Sequence, residues 1–380
     1  MNHFDIEAVK KERSFFKKLR EKSFKTGTGR VNEIVTLSST YIEIKSLNGK
    51  KKNRISRKKL KAAISSMLYR RTSNRAELEK FSKFNSALFG LLRMIFIKIA
   101  KISKTATGAL RLSIKGTRFF FSGLSKAGRK DISLIKNNEA LFILLHYFDI
   151  RKSKTDRWRQ LVEDDFKGKI LLDSGAYSLF NAQRKGLQVS SIDAKEYAAF
   201  IHRHKDILFD YVNLDVIPQS DSAASIRQAE KEAQCNFEYL RNEGLSPVPV
   251  FNCKYDWDVL EKMIEAAFLG RNKKVSFFQE LKSRYPAINL HVLGNASSSI
   301  WTNDFFSSDS SAWIRGRIPD RNGRFTLYTP SGQSQSPLEW KSHDCLSFNI
   351  RTLARAEFSY KEDLQFSLPL TFGGSAHEVI

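Results

Sequence analysis

The sequence has little of what marks a disulfide-bonded or metal-held protein. Its 380 residues contain three cysteines, at positions 235, 253 and 345, and no two of them form a CxxC pair. Widely spaced cysteines argue against a disulfide framework and a structural zinc site, and they favour a reducing compartment. We therefore expect a cytoplasmic protein without a metal or other cofactor.

Long apolar segments are also lacking. The start of the chain is charged and has no apolar stretch of the kind that signal peptides carry. The most apolar segment, residues 87–100, is too short to span a bilayer and contains Arg93 and Lys98. We expect a core helix there and no membrane partner.

Acidic residues are scarce in the first part of the chain. Residues 1–110 carry 27 Lys and Arg but 8 Asp and Glu, so that 19 of the 24 excess positive charges lie there. Such an imbalance attracts polyanions, above all the phosphate backbone of nucleic acid. An anionic membrane is the competing partner, but this segment contains no Trp to anchor an interfacial helix. The charges could also form a solvated face or a surface for a partner protein.

The same segment predicts a small basic α+β module over residues 1–110. Apolar residues recur every three or four positions in three basic stretches, which predicts helices over residues 5–24, 56–71 and 74–100. Residues 33–44 alternate like a strand, and Asn48-Gly49 is a hairpin signal. Ser73 is the expected cap of the third helix.

From about residue 115 strands alternate with helices. Short apolar runs predict strands over residues 117–123, 169–175, 210–218, 248–253, 288–295 and 304–311. Helical patterns occupy residues 131–149, 190–207, 222–244, 256–270 and 275–286. This alternation is typical of parallel β/α units, so we predict an α/β protein with a TIM-like (β/α) barrel and a C-terminal extension over residues 115–380. A strand is missing from this assignment between residues 270 and 275.

Polar side chains follow several of the predicted strands. Asp173 and Ser174 end one strand, Asp215 and Asn252 end two others, and Asp309 lies near the end of the last. A single Asp or Ser at such a place is usually a helix cap. In a parallel barrel, however, the carboxyl ends of all strands meet at one face, where active sites are built. Three aspartates at that face predict a site.

Four of the predicted strand segments resemble motifs of the tRNA-guanine transglycosylase superfamily. "LDSGAYS" resembles the DSGGYQ or DSGGFQ element, and "NLDVIP" resembles the FDECTP strand. "SSDSSAW" is similar to the SVDSTSW element of DNA-guanine transglycosylases of the DpdA type, and "RFFFSG" is similar to the opening strand of that group. The likeness covers residues 117–320 and does not include the basic module.

The resemblance implies a guanine transglycosylase that replaces guanine in DNA, or alternatively in tRNA, with a 7-deazaguanine base such as 7-cyano-7-deazaguanine. Exchange with retention needs one carboxylate that attacks C1′ and a second that moves a proton on the leaving and incoming bases. By similarity, Asp309 is the nucleophile and Asp173 the acid/base. The implied base-binding residues are Asp215, which reads the purine edge, with Ser174, Tyr177, Asn252 and Gly294.

The sequence also departs from this superfamily. The usual cluster of three Cys and one His that holds zinc has no counterpart, since His343 and Cys345 stand alone. The Gly-Gly element that contacts the purine is not evident between Phe268 and Val275. Two further functions stay open, a non-catalytic nucleic-acid-binding protein on a barrel scaffold and a glycosylase whose intermediate is resolved by water.

Overall fold

The computed structural model describes residues 3–19, 22–104, 108–125, 129–152, 156–166, 168–251, 268–269, 281, 289–303 and 305–358. Two small antiparallel sheets come first along the chain, and a large parallel sheet follows them. Within these ranges, no helix is both long and apolar enough to cross a membrane.

The first part of the chain is an α+β unit. Helix His3–Lys17 precedes an antiparallel sheet of β1 (Ser23–Lys25), β2 (Val31–Leu37), β3 (Tyr41–Ser46) and β4 (Lys52–Ser56), and helix Arg57–Arg70 follows. The predicted hairpin at Asn48-Gly49 is confirmed, because β3 pairs with β4 and the Gly49 amide donates to the Ser46 carbonyl (2.9 Å). Helices cover one face of this sheet through its buried isoleucines, Ile34, Ile42, Ile44 and Ile55.

The predicted helix over residues 74–100 is wrong at both ends. A second sheet has the order β5 (Thr72–Asn74), β7 (Leu110–Ile114) and β6 (Ala100–Lys104), with a 3-10 turn at Ala76–Leu78 and a helix at Asn85–Ile95 between its strands. Ser73 lies in β5 and is not a helix cap, because its neighbours pair with β7. Asn74 starts the short turn instead, where its side chain accepts the Glu77 amide (3.0 Å).

The core helix expected in residues 87–100 is confirmed over Ala87–Leu92, all of which are buried.

The large sheet is parallel, which confirms the α/β class. Its strands are β8 (Arg118–Phe121), β9 (Phe142–His146), β10 (Lys169–Asp173), β11 (Leu208–Tyr211), β12 (Val250–Phe251), β13 (Phe268–Leu269), β14 (His291–Val292) and β15 (Ser307–Ser310). Across the curled sheet the order is β11-β10-β9-β8-β15-β14-β13-β12. A parallel bridge joins Val212, just after β11, to Val248, just before β12.

Two strands of this sheet differ from the prediction. Helix Arg129–Asn137 ends near Glu139, whose φ is +60°, and β9 then occupies the second half of the segment predicted as one helix over residues 131–149. β13 supplies the strand that the sequence assignment lacked, so the predicted helix over residues 256–270 is wrong at its end. The rest of that helix, and that over residues 275–286 except Leu281, lies outside the described residues.

Helices cover the outer face of the parallel sheet. They include Ala176–Arg184, Ala194–His204, Ala223–Asn242 and Ser342–Arg355, with shorter turns at Tyr147–Ile150, Arg157–Gln160, Leu161–Phe166, Ser299–Thr302 and Ala312–Arg317. A C-terminal hairpin consists of β16 (Thr326–Thr329) and β17 (Gly332–Gln335). Because successive strand residues point to opposite faces, Ile143, Leu145, Ile170 and Leu172 pack against these helices.

The inner face of the sheet packs against the N-terminal module. Phe142, Leu144 and Leu171 share one apolar cluster with the core of the module. Arg118, at the start of β8, is fully buried and donates to the carbonyl oxygens of Leu68 (2.8 Å) and Tyr69 (3.2 Å) at the end of helix Arg57–Arg70. The module therefore covers the amino ends of the strands, and their carboxyl ends are at the opposite edge.

Candidate active site

The turn after β10 holds Asp173 through its own backbone. Gly175 has φ +79°, and its amide donates to Asp173 Oδ2 (3.1 Å). A Cβ on Gly175 would lie 2.6 Å from Phe148 Cβ, so this turn requires glycine. Ser174 is fully buried; its hydroxyl donates to Asp215 Oδ1 (2.9 Å) and accepts the amide of Ala176 (3.3 Å), the first residue of the following helix. The sequence Asp-Ser-Gly thus holds one carboxylate in place and orients a second.

His146 lies beside Asp173. It ends β9 in register with Asp173, and its Nε2 is 3.7 Å from Asp173 Oδ2. Its Nδ1 is 3.3 Å from Asp149 Oδ2. Burial alone would lower the pKa of His146, but the hydrogen bond with Asp149 and the charges of Asp173 and Asp309 outweigh burial and raise it. The site therefore favours the protonated imidazole.

Asp309 has a histidine of its own. This carboxylate lies on β15 and is 6% exposed. Its Oδ1 accepts a hydrogen bond from the Gly294 amide (2.9 Å) and lies 3.3 Å from Nε2 of His291, which is fully buried. Ser307 Oγ, at 2.8 Å from His291 Nδ1, fixes the imidazole from its other side. Gly294 has φ +67°, which lets the chain turn after β14 and point its amide at the carboxylate.

The two carboxylates have pKa values displaced in opposite directions. Burial, more than the charge of Asp309, raises the pKa of Asp173 against the opposing effect of His146. Burial also acts to raise the pKa of Asp309, but the hydrogen bond and charge of His291, with the Gly294 amide, outweigh it and lower that pKa. Asp173 thus holds its proton more strongly than Asp309 does, and a difference of this kind assigns acid and base roles to a pair of carboxyl groups.

Asp215 provides a third carboxyl group next to Asp173. Burial and the charge of Asp173 raise its pKa to about 7, against the hydrogen bond from Ser174. Near neutral pH this group is present both as an acceptor and as a donor. A cavity of about 450 Å³ opens beside it, with Ala176, Gln228 and Asn236 in its walls. The volume is in the range of small-molecule sites.

The structure brings together five of the residues that the sequence singled out: Asp173, Ser174, Asp215, Gly294 and Asp309. Tyr177 lies in the first turn of helix Ala176–Arg184 and is 45% exposed, so it is not a core residue. Gly294 is at the site, but its amide is directed to Asp309. Asn252 lies outside the described residues.

Two histidines of the site, His146 and His291, did not stand out in the sequence. His146 stands at the end of the run "FILLH", whose apolar pattern was interpreted as helical, so its position at a strand tip was hidden. His291 is a single polar residue in the apolar run "INLHVL". A lone histidine inside an apolar strand was the available signal in both cases, because a buried imidazole needs a partner.

No three His, Cys, Asp or Glu side chains group closely enough to hold a metal ion in the part of the chain that the structure describes. Among known proteins, no family model matches this chain and no curated protein matches it. Function must therefore be inferred from the geometry and electrostatics of the residues above.

Proposed function

We propose that the protein is a guanine transglycosylase that exchanges guanine in DNA for a 7-deazaguanine base through a covalent aspartyl-nucleoside intermediate. The observation that carries the proposal is the pair Asp173 and Asp309, a partly buried and a buried carboxyl group near the carboxyl ends of parallel strands, whose pKa values are displaced in opposite directions. In this proposal the sheet closes into a TIM-like barrel, which the bridge from Val212 to Val248 supports.

Each carboxyl group has one role in the proposed reaction. The ionised Asp309 attacks C1′ of the nucleoside, the bond from C1′ to N9 breaks, and its electron pair leaves with the guanine. Asp173 gives its proton to the leaving base and then removes the N9 proton from the incoming 7-deazaguanine. The incoming base attacks C1′ and displaces Asp309, so two inversions give net retention.

The cavity beside Asp215 would hold the base in this proposal. A carboxyl group with a pKa of about 7 can accept from the N1–H and exocyclic amine of a guanine-like base once it is ionised. Tyr177 follows Ala176, which lines the cavity, and its exposed ring can stack on a base that has been taken out of the duplex. DNA is preferred to tRNA because "SSDSSAW" resembles the DNA group.

The test is Asp309→Asn with a matched control. We expect Asp309→Asn to abolish both exchange of labelled guanine in DNA and the denaturation-resistant adduct, since a carboxamide cannot attack C1′, while DNA affinity stays nearly unchanged. Asp210→Asn is the control, because Asp210 is another strand carboxylate, on β11, whose charge acts on Tyr69 of the N-terminal module. It should retain exchange.

Different outcomes separate the competing functions. Release of guanine without uptake of a base would identify a glycosylase that uses water. DNA binding without exchange or release by the unaltered protein, tested with several deazaguanine bases and with tRNA, would favour a binding protein on the same scaffold.

A further inference from the structure

A segment with four arginines follows the strand of Asp309 directly. Residues 315–324 contain Arg315, Arg317, Arg321 and Arg324 against one acidic residue, Asp320, and all four arginines are exposed. Arg317 pairs with Asp131 (2.6 Å). Among the described residues, the side chains of Arg321 and Arg324 have no hydrogen-bond or ion-pair partner, so two guanidinium groups remain available for a ligand.

The segment is held rigidly at both ends. Trp313 is fully buried, and its indole donates to the Ser122 carbonyl (2.9 Å) at the end of β8. Gly316 packs so closely on helix Ser342–Arg355 that a Cβ would lie 3.0 Å from Asn349. Asn349 in turn accepts the Tyr328 amide (2.9 Å) and donates to the Thr326 carbonyl (3.0 Å) in β16. The arginines are thus carried on a fixed platform.

The loop itself is a preformed turn. Asp320 accepts the amides of Asn322 (2.8 Å) and Arg324 (3.0 Å), and Gly323 takes φ +74°. Both bonds use Oδ1 of the Asp320 carboxylate, which fixes this side chain against the turn, although Asp320 also lines the neighbouring cavity.

A cavity of about 570 Å³ connects this platform to the site. Its walls include Gly294 and Ser310, next to Asp309, as well as Arg315 and Ile318, which is 75% exposed. A strand whose target nucleotide reached Asp309 would extend through this cavity and over the arginines.

We propose that the arginine segment, residues 315–324, binds the phosphates of the nucleic-acid strand that flanks the target nucleotide. Planar guanidinium groups suit the bidentate recognition of phosphate. The basic N-terminal module covers the opposite edge of the sheet and cannot serve these phosphates. This inference rests on the proposed function for the identity of the target nucleotide, but phosphate binding is measurable without catalysis.

The experiment compares two double substitutions that each remove two positive charges. Arg321→Gln with Arg324→Gln changes the arginine segment, and Lys50→Gln with Lys51→Gln changes exposed lysines of the N-terminal module. Binding of a fluorescent single-stranded DNA of about 10 nucleotides is measured by anisotropy from 50 to 300 mM salt, since single strands release about 0.7 counterion per phosphate contact.

We expect the arginine variant to flatten the log–log salt slope by about 1.4 and to bind at least about 10-fold more weakly at 50 mM salt, with the lysine variant close to the unaltered protein. Equal slopes for the arginine variant and the unaltered protein would overturn the inference, as would a loss confined to the lysine variant. If exchange is never found but the arginine effect is, the proposed function fails and the phosphate site stands.

Discussion

Each of the two central carboxyl groups has a histidine neighbour, and the two histidines act differently. His291 is buried and lies 3.3 Å from Asp309, whereas His146 is 3.7 Å from Asp173 and is also bonded to Asp149. His291 therefore stabilises the ionised form of Asp309 more strongly than His146 stabilises that of Asp173. This explains why the pKa of Asp309 is lowered, whereas burial still raises the pKa of Asp173. The different strengths of the two histidine contacts therefore contribute to the opposite displacement of the two carboxyl pKa values.

This arrangement predicts a shift in the pH profile when His146 is replaced. In the proposed reaction exchange needs protonated Asp173, so we expect activity to be lost as pH rises through the pKa of Asp173, which gives the basic limb of kcat/KM. The charge of His146 lowers that pKa. In His146→Gln the charge is gone, the pKa of Asp173 rises, and we expect the basic limb to move to higher pH.

The control for this shift is His202→Gln, an exposed histidine on helix Ala194–His204 that contacts the Glu243 carbonyl. Its pH profile should match that of the unaltered protein. A basic limb that stays in place in His146→Gln would show that another group, and not Asp173, is the acid.

At the scale of elements, the turn that connects β10 to helix Ala176–Arg184 controls the geometry of the site. Gly175 combines a positive φ with a close approach to Phe148, and its amide holds Asp173. Gly186, after the same helix, has φ +72°, but a Cβ added there would meet nothing within 4 Å. Alanine substitutions at the two glycines therefore distinguish the cost of a positive φ, which both positions share, from the cost of steric contact, which only Gly175 has.

We predict that Gly186→Ala costs about 1 kcal/mol of unfolding free energy from the positive φ alone. Gly175→Ala should cost about 1–3 kcal/mol more, because the added methyl overpacks against Phe148. It should also lower exchange, since the turn must shift and Asp173 moves with it. Urea unfolding of both variants and their exchange rates provide the measurement. Equal losses of stability would mean that Phe148 moves aside freely.

Elements with clear periodicity were predictable from the sequence, and elements set by tertiary pairing were not. Helix Arg57–Arg70 and β10 follow their apolar patterns, as expected. β9 was hidden because "ALFILLHYF" is apolar except for His146, and a run of this kind does not distinguish a buried strand from a helix. Its strand geometry comes from pairing with β10 and β8.

The site residues divide in the same way: local sequence patterns predicted some of them, and contacts between strands determine the others. Asp173, Asp215 and Asp309 were found because each ends or nearly ends an apolar run. The contact of Ser174 with Asp215 and the approach of His146 to Asp173 join different strands, and no local pattern encodes them. The displaced pKa values depend on burial and on those contacts, so they too required the structure.

For the whole molecule, the position of the basic module separates two kinds of nucleic-acid contact. The module lies at the amino ends of the strands, and the carboxylates lie near the carboxyl ends. A compact chain of 380 residues is roughly 50 Å across. A duplex of about 10 base pairs is about 34 Å long and cannot span that distance, whereas one of about 40 base pairs can wrap or bridge it.

We therefore predict that the module adds affinity for long DNA alone. Removing it would expose Phe142, Leu144 and Leu171, so neutralising four exposed lysines, Lys50, Lys51, Lys58 and Lys59, is the better change. The substituted protein should show a flatter salt slope on duplexes of about 40 base pairs, by up to about 0.9 per lost contact. Slope and exchange rate on duplexes of about 10 base pairs should not change. A change on short DNA as well would mean that the module reaches the site.

The pairing of β8 with β15 has a consequence for the time at which the protein completes its sheet. Arg118 of β8 pairs with Ser307 of β15, 189 positions later in the chain. At a translation rate of roughly 5–20 residues per second, the ribosome needs about 10–40 s to make the second partner. During that interval β8, with three consecutive phenylalanines, has one strand edge without its final neighbour. Asp309 lies on β15, so the nascent chain gains the carboxylate that we propose as nucleophile in the same step that covers the exposed edge of β8.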